Sequence, residues 1–196
     1  MGKITITNTE IEDVLIVTPA LFRDPRGFFL ESYSRRDYEM AGIRGEFVQD
    51  NHSRSTKGVL RGLHYQFPHA QDKLIRVTFG SIYDVAVDIR TGSPTYGKWV
   101  GVMLSENSPE MLYIPAGFAH GFVVISDIAE VQYKVNEYYD PSAEGGIRWD
   151  DPDIGILWPL HENGIEFPLL SEKDRHYLEF LKFVSPFQYV KRSEKA

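Results

Sequence analysis

The chain contains no cysteine. Disulfides, thiolate nucleophiles and Cys-ligated zinc are therefore excluded. A cytoplasmic home fits that absence without being required by it. Long apolar runs are also missing. No window reaches the roughly 20 apolar residues that a membrane span needs. The stretch Met1 to Glu10 is polar and alternating, without the apolar centre of a secretory signal. The expectation is a cytoplasmic protein with no membrane partner. Positive charge is in short supply: Lys and Arg number 21 against 28 Asp and Glu, for a net charge of -7. That balance argues against a broad nucleic-acid surface, and an anion would have to meet a local cluster of cations. Helix signals are scarce, and no Gly-rich loop opens a helix for a dinucleotide. No cofactor is expected.

The 196 residues suffice for one domain, read as 1–196, with no linker, repeat or low-complexity tract. What fills the chain is short strands. Val85, Val87 and Ile89 alternate with Asp84, Asp88 and Arg90. Ala129, Val131, Tyr133 and Val135 alternate with Glu130, Gln132, Lys134 and Asn136. Val14 to Val17, Trp99 to Leu104 and Phe122 to Ile125 are apolar runs, and Gly80, Gly92, Pro94, Gly97, Pro115 and Gly117 punctuate the series. These are strand periods with turn breaks. The fold class expected is mainly β, an antiparallel jelly-roll barrel or sandwich with a few short helices. One helix is expected at Ser34 to Met40, capped by Ser34 and closed by Gly42. A second is expected from Ser171 through Leu178 and Phe183.

Chemically active residues gather in a few segments. His64, in the apolar strand Leu60 to Gln66, suits a general base, although a core histidine bonded to backbone is an equal alternative. Arg61 and His64 have opposite strand parity, and Gly62 between them marks a candidate bulge that would re-aim one of them. Tyr133 lies in phase with Val131 and Val135, where a phenol is either a core tyrosine or a general acid. Asp174 has two readings: a helix-capping partner of Ser171, or the carboxylate that orients His64. Arg26 and Arg61 are candidate phosphate ligands, and Tyr138 and Tyr139 are candidate stacking surfaces for a base.

Pro115-x-Gly117-x-x-His120 resembles the second motif of the cupin superfamily, and with His64 it implies a cupin barrel. Metal-binding cupins add a second histidine and a carboxylate in the first motif. Here Gln66 stands at the one and Lys73, seven residues before Gly80, at the other. An ammonium repels a metal ion, so a pocket without metal is expected, in which Lys73 supplies the positive charge.

Taken in order, further stretches resemble the dTDP-4-dehydrorhamnose 3,5-epimerases, the RmlC family. They are Arg26-Gly27-Phe28-Phe29-x-Glu31, Phe47 to His52, Leu60-Arg61-Gly62-Leu63-His64, Asp84 to Arg90, Ser93 to Gly97, Ile114 to Phe122 and Trp149-x-Asp151-Pro152. The resemblance covers roughly residues 4 to 175. It implies His64 as base paired with Asp174, Tyr133 as acid and Lys73 as the group that stabilises an enolate. It implies substrate contacts from Arg26, Glu31, Gln49, Asn51, Arg61, His120, Tyr139, Glu144 and Lys173. The substrate implied is dTDP-4-keto-6-deoxy-D-glucose, and the assembly implied is a homodimer with N-terminal strand exchange, so that Arg26 acts across the interface. The stretch from about 176 to Ala196 does not align and reads as a C-terminal extension. Three other readings compete: an epimerase acting at one carbon or on another keto sugar, a metal-dependent cupin oxygenase, and a sugar-binding module without catalysis.

Overall fold

The structure, a computed structural model, describes residues 4–43 and 45–191. Met1 to Lys3, at the head of the polar N-terminal stretch, and residues 192–196, at the end of the C-terminal extension, lie outside the described residues. In chain order the strands are β1 (Ile4–Asn8), β2 (Leu15–Pro19), β3 (Leu21–Asp24), β4 (Gly27–Leu30), β5 (Gln49–Thr56), β6 (Leu60–Gln66) and β7 (Lys73–Phe79). They continue with β8 (Ser81–Asp88), β9 (Trp99–Ser105), β10 (Met111–Ile114), β11 (Phe118–Val124), β12 (Ile128–Val135) and β13 (Glu144–Gly146). The helices are α1 (Arg35–Met40) and α2 (Glu172–Arg175).

A six-stranded sheet runs β1-β2-β10-β7-β12-β5, and a five-stranded sheet runs β13-β6-β11-β8-β9. Every pairing within them is antiparallel. Strand alternation sends Ile75, Val77, Leu112, Ile114 and Val131 of the first sheet against Ile82, Ala86, Leu104, Phe118 and Phe122 of the second, and these form the main core. This is the mainly β, antiparallel barrel that the strand periods predict.

The outer face of the five-stranded sheet is not open to water. Leu63, Val85, Val87, Ile89 and Ala119 on that face pack under Ile147, Ile154 and Phe183 of the C-terminal segment. β8 is thus buried on both faces. Its regular alternation places Val85 and Val87 outward, and Ile82, Asp84, Ala86 and Asp88 toward the barrel interior. The extension is stitched down where Tyr189 N–H donates to the Thr91 carbonyl at 2.9 Å. Arg90 lies over the rings of both Phe118 and Tyr189. Asp88 holds Arg90 in place through paired bonds to the guanidinium.

Two helix expectations are corrected. α1 forms with Ser34 at its N-cap, but the Ser34 side chain makes no capping bond. The helix after Ser171 is a single turn, ending at Arg175 instead of reaching Leu178 and Phe183. The apolar residues beyond it serve a different purpose: Phe180, in the short 3-10 turn Phe180–Lys182, and Phe183 just after it cover the barrel. Tertiary burial there overrides the local helical pattern.

Candidate active site

β6 sets up the site. Opposite β11, His64 pairs with His120 and Arg61 pairs with Phe122, so β6 carries one residue more than its partner across this step. That is a β-bulge at Gly62 and Leu63. Its cause is visible at Gly62, whose φ is +129° and where a Cβ would sit 2.5 Å from the Gly121 Cα. Only glycine fits that backbone approach. The bulge sends Leu63 to the outer cluster and leaves Arg61 and His64 on the same interior face, as the parity conflict in the sequence predicts.

A cavity of about 560 Å³ opens between the sheets at this point. Its walls include His64, Lys73, Tyr133, Asp174, Arg61, His120, Tyr139, Glu144 and Lys173, so nine of the site residues read from the sequence converge. The segment before α2 runs beside the start of β6, held by Leu60 N–H to the Leu169 carbonyl and Leu169 N–H to the Gly58 carbonyl. That docking delivers Asp174 to His64, with Asp174 Oδ1 2.5 Å from His64 Nε2. Ser171 accepts from the Asp174 N–H as a helix cap and donates its hydroxyl to Asp174 Oδ2 at 2.8 Å. Asp174 thus touches both of the partners that its two sequence readings name, Ser171 and His64. Burial pushes its carboxyl up, but bonds from His64, Ser171 and the Gly62 backbone outweigh burial and hold it below the usual carboxylate range.

Lys73 opens β7 on the cavity floor. Its ammonium reaches the His64 carbonyl at 3.5 Å. Burial presses its pKa down to about 8, against the pull of Asp84 and Glu144. Tyr133 comes from β12 in the opposite sheet, where burial raises its phenol above the ordinary value despite the nearby Arg61. His120 is buried beside His64 and bonded to Asp84 at 2.5 Å. Arg61 is steadied by the Ser55 hydroxyl at 3.1 and 3.2 Å.

The rim is a polar cluster. Glu144 accepts from the Tyr139 hydroxyl at 2.6 Å and pairs with Lys173 at 2.5 Å. The Glu144 bond pushes the Tyr139 phenol up to about 12. Gln49 and Asn51 do not line the cavity; Gln49 accepts from the Tyr139 N–H and donates to Asn51, buttressing the rim. Arg26 and Glu31 are not cavity residues of this chain either. Arg26 sits at the tip of the β3–β4 hairpin, its side chain 89% exposed and paired with Asp24.

The Gln66 amide is fully committed to backbone. It donates to the His69 and Tyr138 carbonyls and accepts from the Asp140 N–H. Those bonds fix the amide at the cavity wall, at the position where metal-binding cupins carry histidine. Among the described residues, no three His, Asp or Glu side chains group as a metal would require.

Sequence reasoning missed Asp84 as a partner of His120, Ser171 as a partner of the Asp174 carboxylate, and Tyr177, whose ring meets His64 edge-on at 5.7 Å between centroids. The signal for Asp84 was present: an acid in strand register with Ile82 and Ala86 must face a core.

The dTDP-4-dehydrorhamnose 3,5-epimerase family model matches residues 8–182. A relative from Shigella flexneri named dTDP-4-dehydrorhamnose 3,5-epimerase is 55% identical over 178 residues, covering 90% of this chain and 96% of its own length. A crystal structure of RmlC from Legionella pneumophila in complex with dTDP-4-keto-L-rhamnose superposes with a TM-score of 0.91 at 46% identity, over 95% of this chain and 99% of the other. ChmJ, a 3'-monoepimerase from Streptomyces bikiniensis solved with dTDP-quinovose, gives 0.81 at 32% identity, over 88% of this chain and 86% of its own. With its match running through the bulge, the His64–Asp174 pair and both sheets, the chain belongs to the dTDP-4-dehydrorhamnose 3,5-epimerase family.

Proposed function

We infer that this protein converts dTDP-4-keto-6-deoxy-D-glucose to dTDP-4-keto-L-rhamnose by epimerisation at C5 and C3. The observation that carries this reading is a single cavity lined by an imidazole backed by a carboxylate, a buried ammonium and a phenol from the opposite sheet. Each has a task. The 4-ketone acidifies the hydrogens on both neighbouring carbons. His64, held through Nε2 by Asp174, removes the C5 proton, and the electron pair of the broken C–H bond moves to the C4 oxygen. Lys73 stabilises that enolate oxygen, a contribution of about 3–4 kcal/mol for a preorganised donor. Tyr133 returns a proton to C5 from the other face, and the ring flips. Once His64 has released its proton to solvent and Tyr133 has taken one back, the same exchange follows at C3.

The role of metal in other cupins falls here to Lys73, and no cofactor enters the scheme. Arg61 and Lys173 suit the diphosphate, and Tyr139 suits the thymine face. Arg26 belongs to this reading only in a homodimer with exchanged N-terminal strands. Its support is the β3–β4 hairpin, which exposes Phe22, Phe28 and Phe29 around Arg26 and pairs with no other described strand. Among the described residues no helix is long and apolar enough to cross a membrane, and the absence of cysteine suits a reducing cytoplasm.

Incubation with the keto sugar in heavy water, read by NMR, tests the reading. Deuterium at both C3 and C5 is expected. Label at C3 alone favours a single-carbon epimerase, as the likeness to the 3'-monoepimerase allows. Tight binding of dTDP-sugar with no label at either carbon overturns catalysis altogether.

A further inference from the structure

His120 on the cavity wall and the enclosed Asp84 form a second histidine–carboxylate pair that the proposed chemistry leaves unused. Asp84, on β8, is 0% exposed. Its Oδ1 bonds His120 Nε2 at 2.5 Å, and its Oδ2 is buried with no hydrogen-bond partner among the described residues. A buried carboxylate oxygen without a donor is costly, so its retention calls for a compensating charge. Lys73 supplies one: Asp84 acts on it electrostatically, and both side chains are sealed in the same interior.

We propose that Asp84 is a positioning residue for catalysis, whose negative charge keeps the buried Lys73 in its ammonium form while its other oxygen fixes the ring of His120. The inference rests on the epimerase reading above and deepens it. An enolate needs a cation beside it, and a neutral amine stabilises it far less. Burial alone drives Lys73 toward the neutral amine. Facing Lys73 from the surrounding elements are Asp84 on β8, Glu144 on β13, Arg61 and His64 on β6, His120 on β11, Tyr133 on β12, and Asp174 and Lys173 on α2. Of the carboxylates, Glu144 is already bonded to Lys173 and Tyr139, and Asp174 to His64 and Ser171. Asp84 alone of the three is wholly enclosed with an oxygen to spare.

The test is a lysine Nζ NMR titration of Lys73 in the full-length protein and in Asp84→Asn, together with the pH profile of kcat. In the wild type the ammonium is expected to lose its proton near pH 8, with turnover falling through the same range. In Asp84→Asn the Lys73 midpoint and the alkaline limb of kcat should both move acidward by about one unit or more. KM should change less than kcat, and Asp84→Glu should restore much of the shift. An unmoved Lys73 midpoint in folded Asp84→Asn overturns the proposal. If that variant does not fold by circular dichroism, the wild-type Asp84 carboxyl carbon decides the matter. Its NMR shift should inflect at the Lys73 midpoint, and a flat response there overturns the proposal. Failure of the wild type to label the keto sugar refutes the epimerase reading instead, because the lysine titration needs no substrate.

Discussion

Asp174→Asn isolates the electrostatic half of the His64–Asp174 pair. The substitution is nearly isosteric, and the geometry has room for it. An amide oxygen can still accept from His64 Nε2, while the amide nitrogen can donate to Ser171 Oγ, which already accepts from the Asp174 N–H. What is lost is the charge that stabilises the imidazolium formed when His64 takes a proton. Two unit charges about 4 Å apart are worth about 4 kcal/mol at an effective dielectric constant of about 20. The Asp174 side chain is 4% exposed but His64 is 28% exposed, so solvent screens part of this. A charge-assisted hydrogen bond of this kind nets about 1.5–3 kcal/mol. Taking about 3 kcal/mol, kcat should fall roughly a hundredfold, at about 1.4 kcal/mol per decade. The assay is loss of protium from C5 and C3 in heavy water, followed by NMR under saturating substrate, with dTDP affinity as a control on the fold. Because substrate binding does not use the imidazolium, KM should stay within about threefold, on the rule that an interaction made only on the way to the transition state shows in kcat. A kcat within about fivefold of wild type, where the reasoning requires roughly two decades, would refute the assignment of Asp174 as the charge partner of the base.

Tyr133→Phe should lose turnover by about a hundredfold or more, the usual contribution of a general acid. It should still wash label into one carbon, because abstraction by His64 does not need the phenol; retained net epimerisation removes the role. Gly62→Ala should destabilise by about 2 kcal/mol or more in urea unfolding, since the new methyl meets Gly121 Cα at 2.5 Å and the His120 carbonyl at 2.7 Å in a φ that side chains avoid. Asp88→Ala leaves the largely buried Arg90 with Asp13 as its remaining ion-pair partner and should cost about 1.5–3 kcal/mol in denaturant melts. The wild-type contribution is acid-sensitive. Burial raises the Asp88 carboxyl, but Arg90, Ser93 and Thr95 outweigh it and leave the folded value depressed. Its stabilisation is therefore full above the ordinary carboxylate value of 3.8 and is lost as pH falls through the depressed one.

The barrel was legible because strand alternation is a local signal. β8 and β12 announce themselves through Val85–Ile89 and Ala129–Val135, and the bulge announces itself through the parity conflict between Arg61 and His64 around Gly62. The dyad was not legible from spacing. His64 and Asp174 stand 110 positions apart, and only the docking of Leu169 beside β6 brings them together. The tail misled for a physical reason. Phe180 and Phe183 carry apolar spacing that suits a helix, yet the uncovered outer face of β8 offers them more burial in an irregular path. Arg26 carries the opposite lesson. Its motif is specific, but it stands at an exposed hairpin tip and does not line the cavity of its own chain.

The site also explains how a chain of net charge -7 can receive a diphosphate. The cations of the cavity differ in what they have left to offer. Lys173 is paired with Glu144, and Lys73 is enclosed under the field of Asp84 and Glu144. Arg61 is held by a hydroxyl, which fixes the guanidinium through two donors without neutralising it. Among the described residues it makes no ion pair, and it lines the cavity wall. A guanidinium oriented by a neutral partner keeps its full charge and its remaining donors for an incoming phosphate. On the proposed reading the division of labour follows from burial and pairing: Arg61, with its charge unspent, is the group to attract the anion, and the enclosed Lys73 is the group to meet the negative oxygen that exists only while the sugar is an enolate.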